Sequence, residues 1–277
     1  MFWINGVEQN LISASDRSVQ FGDGCFTTAR VYLGQVVWLD MHISRLRQAT
    51  ERLLMPAVNW NTLTKEMVEA ANHTEDGVLK VIISRGSGGR GYSGTACQHP
   101  TRIISLSDYP VHYDNWRERG ISLALSPISL ARSPLLAGVK HLNRLEQVLI
   151  RAHLDQTAAD EALVLDTQGM LVECCAANLF WRKGDKVFTP DLRQAGVDGI
   201  MRQRIINCLA THGQQVAIVS QPVDVLADAD EVIVCNALMP LLSVNRIEPV
   251  NRAEPWIYHS RQLFDFLNLH CCEVKAA

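Results

Sequence analysis

Two spacings of apolar residues alternate along this chain, so it is expected to interleave strands and helices from end to end. Residues 21–32 run from a glycine-rich turn, Phe21-Gly22-Asp23-Gly24, into a β-branched and aromatic stretch. At a period of two, Phe26, Thr28 and Arg30 share one strand face, while Cys25, Thr27 and Ala29 share the other. Over 42–54 the period changes: Ile43, Leu46, Ala49 and Leu53 recur at helical spacing, with Arg45, Arg47 and Arg52 between them. A second helix is expected over 60–71, and strands over 79–84 and 102–106. Residues 108–115 hold Pro110 and little periodicity, and mark a boundary. Residues 1–110 are then a smaller N-terminal domain, 111–115 a linker, and 116–277 a larger C-terminal domain.

Past the boundary a strand is expected over 121–125. A helix starting near His141 carries Leu142, Leu145, Val148, Leu149 and Ala152 on one face, which is expected to be well buried. Strands follow over 160–166 and 178–181, and Lys183-Gly184-Asp185-Lys186 turns a hairpin. A helix is entered at Gly196–Arg202, a strand covers 216–220, and a short acidic helix covers 221–230. The apolar run from Glu231 reads as a buried strand ending at a turn that bears Asn236, and a last helix is expected over 256–268.

Composition removes several classes of function. At 277 residues, 47% apolar and 20% charged, the chain can bury real cores and is neither disordered nor fibrous. A net charge of -3 with dispersed arginines gives no footprint for nucleic acid. No apolar run is long enough to span a membrane, and the amino terminus lacks the pattern of a signal peptide. The eight cysteines contain no C-x-x-C, and Cys174-Cys175 and Cys271-Cys272 are adjacent pairs, poorly placed for disulfides or a metal. A reduced, cytoplasmic setting without a metal is expected.

The residues that carry chemistry are few. Of six lysines against twenty arginines, Lys140 stands apart in Gly138-Val139-Lys140-His141-Leu142-Asn143-Arg144, after a glycine and ahead of a helix. A lysine with apolar neighbours there suits covalent chemistry, although a surface lysine has the same local pattern. Glu173 and Asn178 sit in an otherwise apolar or small-residue run, so a buried Glu173 needs a partner. The glycines of Gly196-Val197-Asp198-Gly199 precede a helix and are either an anion-ready amide turn or an ordinary loop. Arg85-Gly86-Ser87-Gly88-Gly89-Arg90-Gly91-Tyr92-Ser93 is either a mobile loop offering guanidinium to a carboxylate or a plain flexible hairpin.

In order, Phe21-Gly22-Asp23-Gly24, the helix with Arg45, Lys140-x-x-Asn143-Arg144, Glu173-x-x-x-x-Asn178-Leu179-Phe180, Gly199-Ile200-Met201-Arg202 and Asn236-Ala237 form a series. That series resembles the fold-type IV pyridoxal-phosphate enzymes over nearly the whole chain. The group includes branched-chain and D-amino-acid aminotransferases and the aminodeoxychorismate lyases. The wording around 20–30, 84–93, 138–150, 173–183 and 235–240 is most similar to the lyases.

The resemblance implies an α/β (α+β) fold of two α/β domains, with pyridoxal 5'-phosphate in the cleft between them and usually a homodimer. It implies that Lys140, in the larger domain, holds the cofactor as a Schiff base. Arg45 and the amides of Ile200-Met201 and Asn236-Ala237 would bind its phosphate, Glu173 would pair with the ring nitrogen, and Asn178 would also contact the cofactor. Arg90 and Tyr92 lie where relatives bind the substrate carboxylate.

Two departures matter. Thr27-Thr28 follow Phe26 where many aminotransferases have Glu, which leaves hydroxyls near the lysine; Thr28 becomes the candidate to position Lys140 or deliver a proton. Asn236 replaces the Thr common at the last phosphate turn, and its amide side chain is expected to keep the phosphate contact. The small-molecule substrate so implied is 4-amino-4-deoxychorismate, split to 4-aminobenzoate and pyruvate. The alternative is transamination of a branched-chain or D-amino acid.

Overall fold

A computed structural model describes residues 1–248 and 254–271; Cys272 and Lys275 lie outside the described residues. The described residues divide into two compact units: Met1–Pro110 with Val139–Asn143, and Val111–Gly138 with the described residues from Arg144 to Cys271.

The first unit holds β1 (Phe2–Ile4), β2 (Val7–Glu8), α1 (Arg17–Phe21), β3 (Gly24–Tyr32), β4 (Gln35–Val36), α2 (Leu39–Arg52), α3 (Trp60–Ala71), β5 (Asp76–Ser84) and β6 (Thr101–Ser107). Asn5 and Gly6 take positive φ, as a two-residue hairpin turn requires, and join β1 to β2. The six strands form one antiparallel sheet in the order β2-β1-β6-β5-β3-β4. Its inner face is the alternate set of β3 and β5: Cys25, Val31, Leu79, Val81 and Ile83 pack against Leu46 and Ala49 of α2 and Leu63 and Met67 of α3. Truncating any of the fully buried leucines to Ala there costs about 2–5 kcal/mol. As the alternation predicts, Phe26, Thr28 and Arg30 point to the other, half-buried face.

The second unit holds α4 (His112–Arg119), β7 (Ile121–Leu125), α5 (Leu145–Leu154), β8 (Glu161–Leu165), β9 (Leu171–Cys174), β10 (Asn178–Lys183) and β11 (Lys186–Pro190). These are followed by α6 (Ile200–Thr211), β12 (Val216–Val219), a 3-10 turn (Val223–Asp228), β13 (Glu231–Cys235), β14 (Leu242–Glu248), β15 (Trp256–Ile257) and α7 (Gln262–His270). Its mixed sheet runs β12-β11-β10-β13-β14-β7-β8-β9, with β15 paired to β14. The β11–β12, β14–β7 and β7–β8 pairs are parallel and the rest antiparallel. Both faces are apolar. Leu163 and Leu171 join a cluster with Leu179, Trp181, Val232 and Val234, while Ala162, Val164 and Val172 join Ile150 and Leu154 of α5.

The structure departs from the sequence reading in four places. The expected linker, 111–115, falls largely within α4, which lays Tyr113 and Trp116 against the core cluster of β7 and β14. Lys140, expected in the C-terminal domain, groups with the first unit, because β3 takes up its backbone: Phe26 N–H donates to Lys140 O, and Leu142 N–H to Gly24 O. The same two bonds keep residues 139–144 extended, so α5 begins at Leu145 rather than near His141. Its Leu145, Val148 and Leu149 are exposed at 77%, 59% and 55%, against the expected burial, and Ile150 and Leu154 face the core instead. Finally, Trp256–Ile257 pairs with β14 as a strand, so the last helix starts only at Gln262.

Candidate active site

In the first unit the site residues gather on the half-buried face of β3. Lys140 lies with its Nζ 4.7 Å from the centroid of the Phe26 ring, and Lys80 Nζ is 5.1 Å from the same centroid. Thr28 is two residues along that face and pairs in register with Lys80 on β5. The aromatic face attracts both ammonium groups without neutralising either. Lys140 is held by its own backbone and by the next residues: Cys25 and His141 form a bridge, and Asn143 Nδ2 donates to Gly22 O at 3.1 Å. Gly22 has φ 63°, and a Cβ on it would stand 2.5 Å from Asn143 Oδ1, so this turn requires glycine.

Arg45 is half-buried on α2, one turn beyond a fully buried His42. Burial, and then the Arg45 charge, push the His42 imidazole down to about 3, so it is neutral and its Nδ1 meets Thr27 Oγ1 at 2.6 Å. Arg90 and Tyr92 are exposed on the loop that follows β5.

In the second unit a different set converges on one residue, Val197. Glu173, 5% exposed on β9, accepts from Val197 N–H at 2.8 Å through Oε2. Asn178, 6% exposed at the start of β10, donates to Val197 O at 2.9 Å. Arg144, half-buried, is drawn electrostatically to Glu173. The turn is also stitched to Gly138: Gly138 N–H donates to Gly196 O, and Asp198 N–H to Gly138 O.

This clasp fixes the start of α6. Gly199 is its N-cap and contributes no side-chain cap, so the first amides of the helix, Ile200 and Met201 among them, have no intrahelical acceptor. A Cβ on Gly199 would run into Asn178 Oδ1. The last turn behaves otherwise than expected. Asn236 Oδ1 accepts from Leu238 N–H and Met239 N–H, both at 2.8 Å, and its Nδ2 donates to Ala176 O. The side chain that was to reach a phosphate is spent on shaping its own turn. The Ala237 N–H is left without a partner among the described residues.

The chain as a whole is similar to known proteins. Residues 24–247 match the family model for amino-transferase class IV. The chain belongs to that family. It is 40% identical over 255 residues to an aminodeoxychorismate lyase from Vibrio harveyi, covering 92% of this chain and 94% of that protein. Its fold superposes with a TM-score of 0.89 on the 4-amino-4-deoxychorismate lyase of Pseudomonas aeruginosa, at 35% identity, covering 97% of this chain and 98% of that one. A hypothetical aminotransferase from Mycobacterium tuberculosis in a pyridoxal-phosphate-bound form shares the fold at a TM-score of 0.83 and 18% identity, covering 98% and 99%.

Within this class IV aminotransferase chain, reading the sequence missed three polar groups. His42 was hidden in a helical stripe, where an imidazole at a core position gives no sign of its partner. Glu161, 3% exposed on β8, accepts from Ala176 N–H at 2.6 Å, and burial raises its carboxyl to about 7. Arg17, buried, pairs with the half-buried Asp23 at 2.8 Å, signalled only by charges flanking a glycine turn. Among the described residues no helix is long and apolar enough to cross a membrane.

Proposed function

We propose that this chain is a pyridoxal 5'-phosphate-dependent lyase that converts 4-amino-4-deoxychorismate to 4-aminobenzoate and pyruvate. One observation carries the reading. A protein of 40% identity and a structure of 35% identity, each matched almost end to end, are both named as that lyase.

Three features of the chain support a fit to the cofactor. The uncapped start of α6 and the Ala237 amide offer donors to a phosphate. The absent Cβ atoms of Gly196 and Gly199 keep the backbone close to Glu173 and Asn178. Glu173 is a buried carboxylate already oriented by Val197 N–H. Lys140 would bind the cofactor carbon, Arg45 with the Ile200, Met201 and Ala237 amides its phosphate, and Glu173 its ring nitrogen, while Asn236 would shape the turn that presents Ala237 and Asn178 would hold the adjoining turn. Pyridoxal phosphate, when bound, supplies a conjugated ring that delocalises the electron pair left by C–H cleavage.

The chain's own residues do the rest. Arg90 and Tyr92 orient a substrate carboxylate. Lys140, set against the Phe26 ring, takes the proton from C4 of the substrate as general base. With the cofactor bound, the Glu173 carboxylate would keep a proton on its ring nitrogen. The C–O bond to enolpyruvate then breaks at the adjacent carbon as the carbocycle becomes aromatic. Thr28, on the Lys140 side of β3, orients the lysine amine or passes a proton to the methylene carbon, giving pyruvate. Atoms balance without water or a keto acid.

The reading extends to assembly and place. The exposed apolar stripe of α5 supports a homodimer, and cysteines that form no disulfide among the described residues suit a cytoplasmic setting.

The test is to supply purified protein with 4-amino-4-deoxychorismate and no keto acid. 4-Aminobenzoate forms, and Lys140→Ala loses both that activity and the visible absorbance of lysine-bound pyridoxal. Amino transfer between ordinary amino and keto acids, with no 4-aminobenzoate, would sink the lyase reading in favour of an aminotransferase.

A further inference from the structure

The loop that carries Arg90 and Tyr92 contains Gly86, Gly88, Gly89 and Gly91, all at positive φ. Such a segment has many conformations to lose, and on composition it is a flexible hairpin. It is nevertheless tied down over residues 91–93 by a side chain outside it. Arg17, at the start of α1, is 4% exposed. Its Nη1 donates to Gly91 O at 2.9 Å and Ser93 O at 3.3 Å, and its Nη2 to Tyr92 O at 3.1 Å. Its Nε donates to Asp23 Oδ2 at 2.8 Å. The guanidinium also lies 4.7 Å from the Phe21 ring centroid, and that ring is 5.6 Å from the ring of Tyr92.

Three successive carbonyls on one guanidinium leave the loop backbone little freedom. A planar fork of donors can meet them together, whereas an ammonium group cannot. The other end of the tie matters equally. Asp23 also receives Arg85 Nε at 2.7 Å, and burial of its carboxylate is outweighed by the two arginines, which hold it below the usual carboxylate range. Its neighbours clasp the lysine segment: Gly22 O accepts from Asn143 and Gly24 O from Leu142 N–H. Arg17 therefore joins the loop with Arg90 to the turn that anchors the chain just after Lys140.

We propose that Arg17 is a positioning residue for substrate recognition, holding loop 86–93 in register with the Lys140 segment so that Arg90 and Tyr92 present preformed contacts to a substrate carboxylate. The inference rests on the assignment of that carboxylate to Arg90 and Tyr92. A rigid backbone bearing exposed recognition side chains lowers the ordering cost of binding.

Arg17→Lys keeps the charge beside Asp23 and removes the fork. In the holoenzyme, KM for 4-amino-4-deoxychorismate rises by roughly tenfold to a hundredfold, the scale for a misplaced binding group. Meanwhile kcat and the visible absorbance of lysine-bound pyridoxal hold, and amides 91–95 exchange faster while those of β3 and β5 do not. In Arg17→Lys/Arg90→Ala the KM rises by less than the product of the two single effects, because Arg17 acts in part through Arg90. Gly89→Ala, whose new Cβ meets Ser93 O, a carbonyl that Arg17 holds, distorts the loop from its own side of the tie and also raises KM. Unchanged loop exchange in Arg17→Lys, an unchanged KM in Gly89→Ala, or multiplying effects in the double variant each overturn the proposal. A wild-type KM in Arg90→Ala overturns the carboxylate assignment instead, whatever the exchange data show.

Discussion

Thr27 Oγ1 and His42 Nδ1 lie 2.6 Å apart, with both side chains sealed from solvent between β3 and α2. No partner reaches His42 Nε2 among the described residues, so this hydrogen bond is the imidazole's polar anchor. A charged His42 would add the cost of burial to repulsion from Arg45 one turn away.

The first consequence is a stability that falls in acid. The unfolded chain protonates His42 near 6.5, while the folded chain resists until about 3. Between those values the unfolded state binds the extra proton, so stability drops as pH falls, by up to about 1.4 kcal/mol per pH unit. His42→Asn, which can still meet Thr27, abolishes that component. Urea midpoints across the window check it. An identical acid loss in His42→Asn and wild type would remove His42 as the cause.

Glu161 acts in the opposite sense. Burial, only partly offset by the Ala176 amide, raises its carboxyl from 4.5 to about 7, so the folded chain keeps a proton that the unfolded chain releases. Stability therefore declines as pH rises through that interval and levels off above it. Where the two windows overlap the slopes cancel, and wild type is nearly flat. Glu161→Gln, which can still accept from Ala176, is more stable than wild type at neutral pH and gains a visible rise with pH. A flat profile in Glu161→Gln would refute the pairing of the two groups.

What could be read in advance followed the range of the interaction. The two faces of β3 were legible because strand alternation is local, and Phe26 and Thr28 fall on the face it assigns. That Glu173 needed a partner was legible too, but the partner, Val197 N–H, lies 24 residues on and is chosen by the fold. The α5 stripe misled because a helical period says which residues share a face, not whether anything covers it. The start of that helix is set by bonds from Gly24 and Phe26 to the Lys140 segment, over a hundred residues away in sequence. The hold of Arg17 on the loop left no signal, since its acceptors there are main-chain carbonyls and any loop has those. Asn236 misled for a related reason: an amide that can reach a ligand can equally close its own turn, and here it does.

Gly199→Ala isolates the α6 turn. Gly199 has φ -69°, which alanine adopts freely, so the obstacle is the Asn178 side chain rather than the backbone. Asn178 must swing off Val197 O, losing a buried hydrogen bond of about 1–3 kcal/mol. The chain still folds, but its affinity for pyridoxal phosphate falls by about tenfold or more, that energy expressed as binding. Adding Asn178→Ala makes room for the new methyl, so the double variant loses less affinity than the two single losses combined. Titrating the cofactor into all four proteins checks it. Simple additivity would show that the two side chains do not share this space.

The uncovered stripe of α5 predicts the assembly. Leu145, Val148 and Leu149 fall at the spacing that places them side by side on one helix face. A second copy of the chain is the partner proposed to cover them, at about 25 cal/mol for each Å² of apolar surface withdrawn from water. Light scattering on the eluting protein should give about twice the chain mass of 30.9 kDa. Leu145→Glu/Leu149→Glu places two charges on the mating face, where desolvating them is unfavourable, and the mass falls to that of one chain. Because neither leucine lies in a buried cluster of its own chain, the far-ultraviolet spectrum of the double variant stays that of wild type. A double variant that keeps the larger mass would place the dimer contact elsewhere, and a wild type of single mass would leave the stripe without its partner.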